Sequence, residues 1–197
     1  MKKLSSQTGF TLVELMISTA IFSSFLFLIT GMMLRLGRTY TKGIISSQTQ
    51  NAARAIVTEI GYAIQFSANA PNYDNATYIC AGSQRYSYNL GKQLKLSGSL
   101  AADQSAIGLV ADNPTACPGG PIANPQRELL DENMRLANLS ITNSGASGLF
   151  TITVRVVYGD FSALDNPTST NAVCKSSAVG SAFCSASEFS TTVQKRL

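Results

Sequence analysis

The chain has 197 residues and a formal net charge of +4. It contains no histidine and no tryptophan, which excludes histidine triads, histidine general bases and histidine-ligated metals. So small a positive excess is too weak to argue for nucleic acid from charge alone.

The length suits one domain with an appendage, and the appendage comes first. Lys2 and Lys3 open the chain, and a mostly polar segment follows to Thr8. Gly9-Phe10-Thr11-Leu12-Val13-Glu14 then stands at the mouth of a long apolar run. Glu14 is the only acid before Glu59, and Leu15–Leu34 is 20 residues without a formal charge. At 1.5 Å of rise per residue such a helix is roughly 30 Å long, enough to cross a bilayer. A carboxylate at its entrance is costly in lipid and calls for a partner. A secretory signal would carry a small-residue cleavage site after the apolar stretch. No Ala-x-Ala site closes this one, so a cut at Gly9 would leave the membrane helix on the mature protein. Arg35, Arg38 and Lys42 flank the far end, against Lys2 and Lys3 at the near end. A count of basic residues therefore does not favour a cytoplasmic amino terminus.

The helix is expected to continue, since no proline occurs before Pro71. Thr30 and Gly31 read either as a point of local melting or as ordinary small-residue packing. Beyond the membrane segment the expected apolar face is Ile45, Ala52, Ile56, Ile60, Ala63 and Phe66. Arg54, Thr58 and Gln65 fall elsewhere on the wheel, and Pro71 ends the helix. Tyr78-Ile79-Cys80 and Tyr86–Leu96 read as short strands, and the prolines from Pro114 to Pro125 mark a long loop. Arg85, Tyr86, Tyr88, Lys92 and Lys95 form a modest basic and aromatic cluster, a DNA contact or a solvated strand face.

The last third is clearer. Leu136–Thr142 and Leu149–Tyr158 read as strands joined by a Gly- and Ser-rich turn. Phe150, Ile152, Val154, Val156 and Tyr158 alternate with Thr151, Thr153 and Arg155, and Val157 is the exception. Glu188–Leu197 is expected as a final strand, with Phe189, Thr191, Val193 and Leu197 on one face. An amphipathic helix followed by an antiparallel meander predicts an α+β roll.

The cysteines are Cys80, Cys117, Cys174 and Cys184, all after the apolar run. No pair has the two-residue gap of a zinc or redox motif, so neither a metal site nor a cofactor is expected. Two disulfides in an oxidising compartment is the better reading. Four cysteines allow three pairings, and locality favours Cys80–Cys117 with Cys174–Cys184. The second would contribute about 2–3 kcal/mol by chain entropy. Glu128, Asp131 and Glu132 supply carboxylates, but no nucleophile or metal cluster accompanies them, which argues against an enzyme.

The Lys-Lys start followed by Gly9-Phe10-Thr11-Leu12-Val13-Glu14-Leu15 resembles the class III signal of type IV prepilins and pseudopilins. The resemblance extends over about the first 60 residues, leader and long helix together. It implies that a membrane peptidase cuts between Gly9 and Phe10 and methylates the new amino group of Phe10. It implies that Glu14 pairs with the terminal amine of a neighbouring subunit during assembly; the alternative is an incidental charge that snorkels to the headgroups. The chain then divides into a leader (1–9), a transmembrane helix (10–36), the amphipathic half of the same helix (37–66) and an extracellular β-rich domain (67–197). The amino terminus is expected in the cytoplasm, because the cysteines need the oxidising side. On this resemblance the chain is a minor pilin or pseudopilin of a type IV pilus, competence pilus or type II secretion machine. Its partners would be the prepilin peptidase and methyltransferase, other pilin subunits and the membrane. The globular part is similar to PilW-like or J-type minor subunits by analogy alone. The alternative function is a membrane-anchored tip adhesin or DNA receptor, with DNA or a surface ligand as the further partner.

Overall fold

The computed structural model describes residues 9–74, 77–88, 90, 109–112, 117, 125–131, 133–145, 148–166, 169–176 and 183–196. Helix α1 (Leu12–Gln65) is followed by strands β1 (Asn72–Asp74), β2 (Tyr78–Ala81), β3 (Gln84–Tyr88), β4 (Leu109–Asp112) and β5 (Pro125–Glu128). Then come β6 (Met134–Asn143), β7 (Leu149–Tyr158), β8 (Leu164–Asp165), β9 (Val173–Cys174) and β10 (Ser185–Gln194). The class is α+β, with the helix packed on antiparallel sheet. The chain divides into two compact units, Met1–Tyr40 and Thr41–Leu197, and α1 contributes to both.

In the first unit every described residue is exposed, including Phe10, Leu12, Phe22, Phe25 and Phe27. This part of α1 is long and apolar enough to cross a membrane. Its serine and threonine hydroxyls bond within the helix. Ser18 donates to the Glu14 carbonyl (2.6 Å), Ser24 to Ala20 (2.8 Å) and Thr30 to Leu26 (2.8 Å), each one turn back. Such bonds remove the cost of carrying a bare hydroxyl into lipid.

In the second unit α1 buries Ile45, Thr49, Ala53, Ile56, Val57, Ile60, Gly61 and Ile64. These recur at three- and four-residue steps, a single stripe of the helix. Ile45, Ile56 and Ile60 lie where the periodicity put them, and Ala52 and Ala63 are half-buried beside them. Phe66 corrects the expected face: it is 66% exposed, past the end of the helix, stacked on Tyr62. Thr49 sits in the stripe because its hydroxyl donates to the Ile45 carbonyl at 2.7 Å, which leaves a methyl to pack. Gly61 is there because a Cβ would lie 3.2 Å from Val193 Cγ1, so the small residue admits the strand. Each fully buried Ile contributes about 1.5–3 kcal/mol.

Among the described residues the antiparallel strands form three sheets. β1 to β5 form one in sequential order, β10-β7-β6 a second, and β8 and β9 a two-stranded third. One apolar core unites the helix stripe with the first two sheets. The Tyr88 hydroxyl lies 3.0 Å from the Asp74 carbonyl on β1 and 3.4 Å from the Leu139 carbonyl on β6. That places a β6 carbonyl beside the five-stranded sheet.

β7 spans the range read from its alternation, and Phe150, Ile152, Val154 and Val156 are buried. Val157 broke that alternation because it packs on the other side, with Ala137, Leu164, Ala172 and Cys184 in a second small core. Ala137 reaches that core where the β6–β7 register shifts between Leu136 and Asn138. The turn between these strands carries Gly145 at φ 88° and Gly148 at φ 61°, values that a side chain resists. β10 starts and ends earlier than the expected 188–197, because Ser185 already pairs with Tyr158. Phe189, Thr191 and Val193 are half-buried on one face, as the alternation implied, and Leu197 lies outside the described residues. β3 stops at Tyr88, and the expected continuation to Leu96 lies outside the described residues.

The strand end also closes the helix. The Arg196 amide donates to the Gln65 carbonyl at 3.0 Å, and the Lys195 ammonium donates to the Ala68 carbonyl at 2.9 Å. Carbonyls at and just beyond the helix terminus, which lack helical partners, are thereby satisfied.

Candidate functional site

Gly9, Phe10 and Thr11 precede the first helical residue, Leu12, and all three are exposed. The Gly9–Phe10 bond therefore lies in non-helical chain. Thr11 is the helix cap. Its carbonyl accepts the Leu15 amide at 3.2 Å, and its Oγ1 accepts the Glu14 amide at 3.3 Å. Glu14 reaches back: the Thr11 amide and the Thr11 hydroxyl both donate to its Oε2, each at 3.0 Å. Thr11-Leu12-Val13-Glu14 is thus a capping box, two otherwise unpaired amides satisfied reciprocally. A carboxylate in the first helical turn also meets the positive end of the helix dipole.

Glu14 therefore has a partner inside its own chain, which charge counting missed. The signal was present as Thr-x-x-Glu before an apolar run. Both bonds use one carboxylate oxygen, so the side chain is held in a fixed pose toward the amino-terminal end of the helix.

Residues 4–30 match the prokaryotic N-terminal methylation motif. The chain carries the class III signal of type IV prepilins and pseudopilins. Searches of curated proteins and of solved structures found no match. The motif and the apolar helix behind it fit a pilin-like processed subunit. The signal's family is one of structural subunits rather than enzymes.

The other sequence candidates separate into those brought together and those dispersed. Cys80 is bonded to Cys117 and Cys174 to Cys184, with Cα separations of 6.4 and 5.7 Å. No metal-holding cluster of three acidic or cysteine side chains exists among the described residues.

The described members of the basic and aromatic cluster fit neither of its two readings. Arg85 is 3% exposed, Tyr86 2% and Tyr88 4%, so these side chains lie inside and the solvated-face alternative fails with them. Lys92 and Lys95 lie outside the described residues. The tyrosines are core residues with working hydroxyls. Burial pushes both phenols up, and the nearby Glu59 carboxylate, which accepts the Tyr86 hydroxyl, adds to the effect on Tyr86. Glu59 is also paired with Arg127, which ties β5 to the helix. Glu128 is half-buried, Asp131 is exposed, and Glu132 lies outside the described residues.

Proposed function

We propose that the chain is a minor pilin or pseudopilin. It is cut between Gly9 and Phe10, N-methylated on Phe10, and anchored by the apolar part of α1. It is then built into a type IV pilus-like filament by helix-on-helix packing. The observation that carries this reading is the methylation motif at residues 4–30, set on a helix whose apolar side chains up to Tyr40 are exposed within the chain. Orientation with the amino terminus in the cytoplasm is supported by the two disulfides, which need an oxidising compartment.

Glu14 is the assembly residue in this reading. The capping box supports it by fixing the carboxylate near the position of a new amino terminus, four residues away along the chain. A neighbour's ammonium offsets the cost of a carboxylate in lipid and selects the axial register of the incoming subunit. The peptidase and methyltransferase and the sibling pilins are the partners. The DNA-receptor alternative loses three of its five contact candidates with the burial of Arg85, Tyr86 and Tyr88.

Two substitutions separate capping from assembly. Glu14→Gln keeps an acceptor for the Thr11 amide but has no charge to offer an ammonium; Glu14→Val has neither. Both variants are expected to be processed and both to incorporate poorly into filaments, read by immunoblot of sheared filament fractions. Normal incorporation of Glu14→Gln would remove the ion-pair role.

A further inference from the structure

The two disulfides sit in different surroundings. Cys184 is 2% exposed and belongs to the second small core with Ala137, Val157, Leu164 and Ala172. Gly159 covers it so closely that a Cβ there would lie 3.4 Å from the Cys184 sulfur, and Cys174 is half-buried. Cys117 is exposed. Its bond to Cys80 forms part of the wall of an open cleft of about 450 Å³, lined also by Ala68, Asn69, Asn72, Gly82 and Ser83. Cys80 is buried on β2, which is paired to β1 on one side and β3 on the other.

We infer that the Cys80–Cys117 bond is a site of thiol–disulfide exchange, entered from this cleft at the Cys117 sulfur by an external thiol. Exchange requires a thiolate to reach a disulfide sulfur, so access decides between two bonds of the same chemistry. The attacking thiolate forms a new S–S bond to Cys117, and the bond to Cys80 breaks. The electron pair leaves on the Cys80 sulfur, which takes a proton from water. A second thiol then attacks the mixed disulfide and releases Cys117 as a thiol. The net result is two cysteine thiols and one oxidised thiol pair, a balanced two-electron exchange.

The fold makes this opening local. β2 keeps its strand partners, and Ile79 and Ala81 on either side of Cys80 remain in the main core. What is released is the cross-link between Cys80 on β2 and Cys117, a sequence separation of 37 residues. Cys80 stays held on its strand, so the bond can re-form when the thiol is withdrawn. The bond thus acts as a reversible tether on one surface, while Cys174–Cys184 serves as a fixed staple. This inference stands on burial and access alone and does not depend on the filament reading.

The test uses the full-length chain in detergent micelles and reduced glutathione as the thiol. Samples are acid-quenched over time, differentially alkylated and read cysteine by cysteine by mass spectrometry. Cys80–Cys117 is expected to open at least tenfold faster than Cys174–Cys184, with the glutathione adduct on Cys117. Equal rates, faster opening of Cys174–Cys184, or an adduct on Cys80 would overturn the inference. A second variant guards against simple unfolding: the Cys80→Ser, Cys117→Ser double mutant should keep the far-ultraviolet circular dichroism of the parent. Loss of that signal would show a structural staple and would also overturn it.

Discussion

One helix is stabilised in two ways along its length. Up to Tyr40 its apolar side chains are all exposed within the chain, and from Ile45 to Ile64 a stripe of eight residues is buried against sheet. The first part meets its own polar needs, with Thr11 and Glu14 capping it and Ser18, Ser24 and Thr30 bonding one turn back. The second depends on tertiary contacts, as most helices in folded proteins do. The lesson is that apolar content alone does not say what a helix is for. The first part is the more apolar and buries nothing inside the chain, which fits a segment meant for lipid and for other helices.

Matched substitutions test that contrast, and the largest effect is expected in the stripe. Ile60→Ala should destabilise the sheet-bearing unit by about 2–5 kcal/mol, because a fully buried side chain leaves a cavity. Ile21→Ala, at an exposed position, should change the same thermal transition by less than about 0.5 kcal/mol. Circular dichroism melts of the full chain in micelles read both, and equal losses would break the comparison.

The glycine pair is a smaller version. Gly61→Leu must displace Val193 and should cost about 1–3 kcal/mol by overpacking. Gly31→Leu has open space around it and should cost nothing in the same melt. Smaller again is Thr11→Val, which removes the capping oxygen while keeping the side chain's shape. It should cost about 0.5–2 kcal/mol at the helix start alone. Faster amide exchange over the first turn, with an unchanged melt, is the expected result.

The smallest effect vanishes at neutral pH. Tyr86 and Tyr88 hold their protons above the range of an unfolded tyrosine, because burial disfavours the phenolate. Below about pH 10 both states are neutral at these sites and stability does not depend on them. Above it the unfolded chain loses protons that the folded chain keeps, so stability falls as pH rises. Absorbance titration should show at least two phenols that ionise only as the sheet-bearing unit melts. Full ionisation of all seven tyrosines before any loss of far-ultraviolet signal would contradict their placement.

The sequence made the signal at Gly9–Glu14, the β7 alternation and the local cysteine pairs readable, each because one physical pattern dominates there. Of the five-stranded sheet it made only β2 and part of β3 readable. β1, β2, β3, β4 and β5 have three to five residues each, too short for an alternation to register. β3 adds a second obstacle, since Arg85, Tyr86 and Tyr88 are all buried, so its polar-looking composition misleads. In the helix the true stripe is displaced from the expected face: Ala53, Val57 and Ile64 are buried beside Ile56 and Ile60, and a scan for apolar residues skips Thr49 and Gly61 altogether. At the candidate site the charge of Glu14 drew attention to lipid cost, and the three-residue spacing to Thr11 went unread. The chemistry of that spacing is local, and it was the part of the site most open to sequence reasoning.

The central claim is that the chain becomes functional by losing its first nine residues. Mass spectrometry of the amino-terminal peptide from membrane-extracted protein tests it directly. The account predicts a peptide that begins at Phe10 and carries one added methyl on its α-amino group. An intact Met1, or a first residue beyond the apolar run, would contradict it.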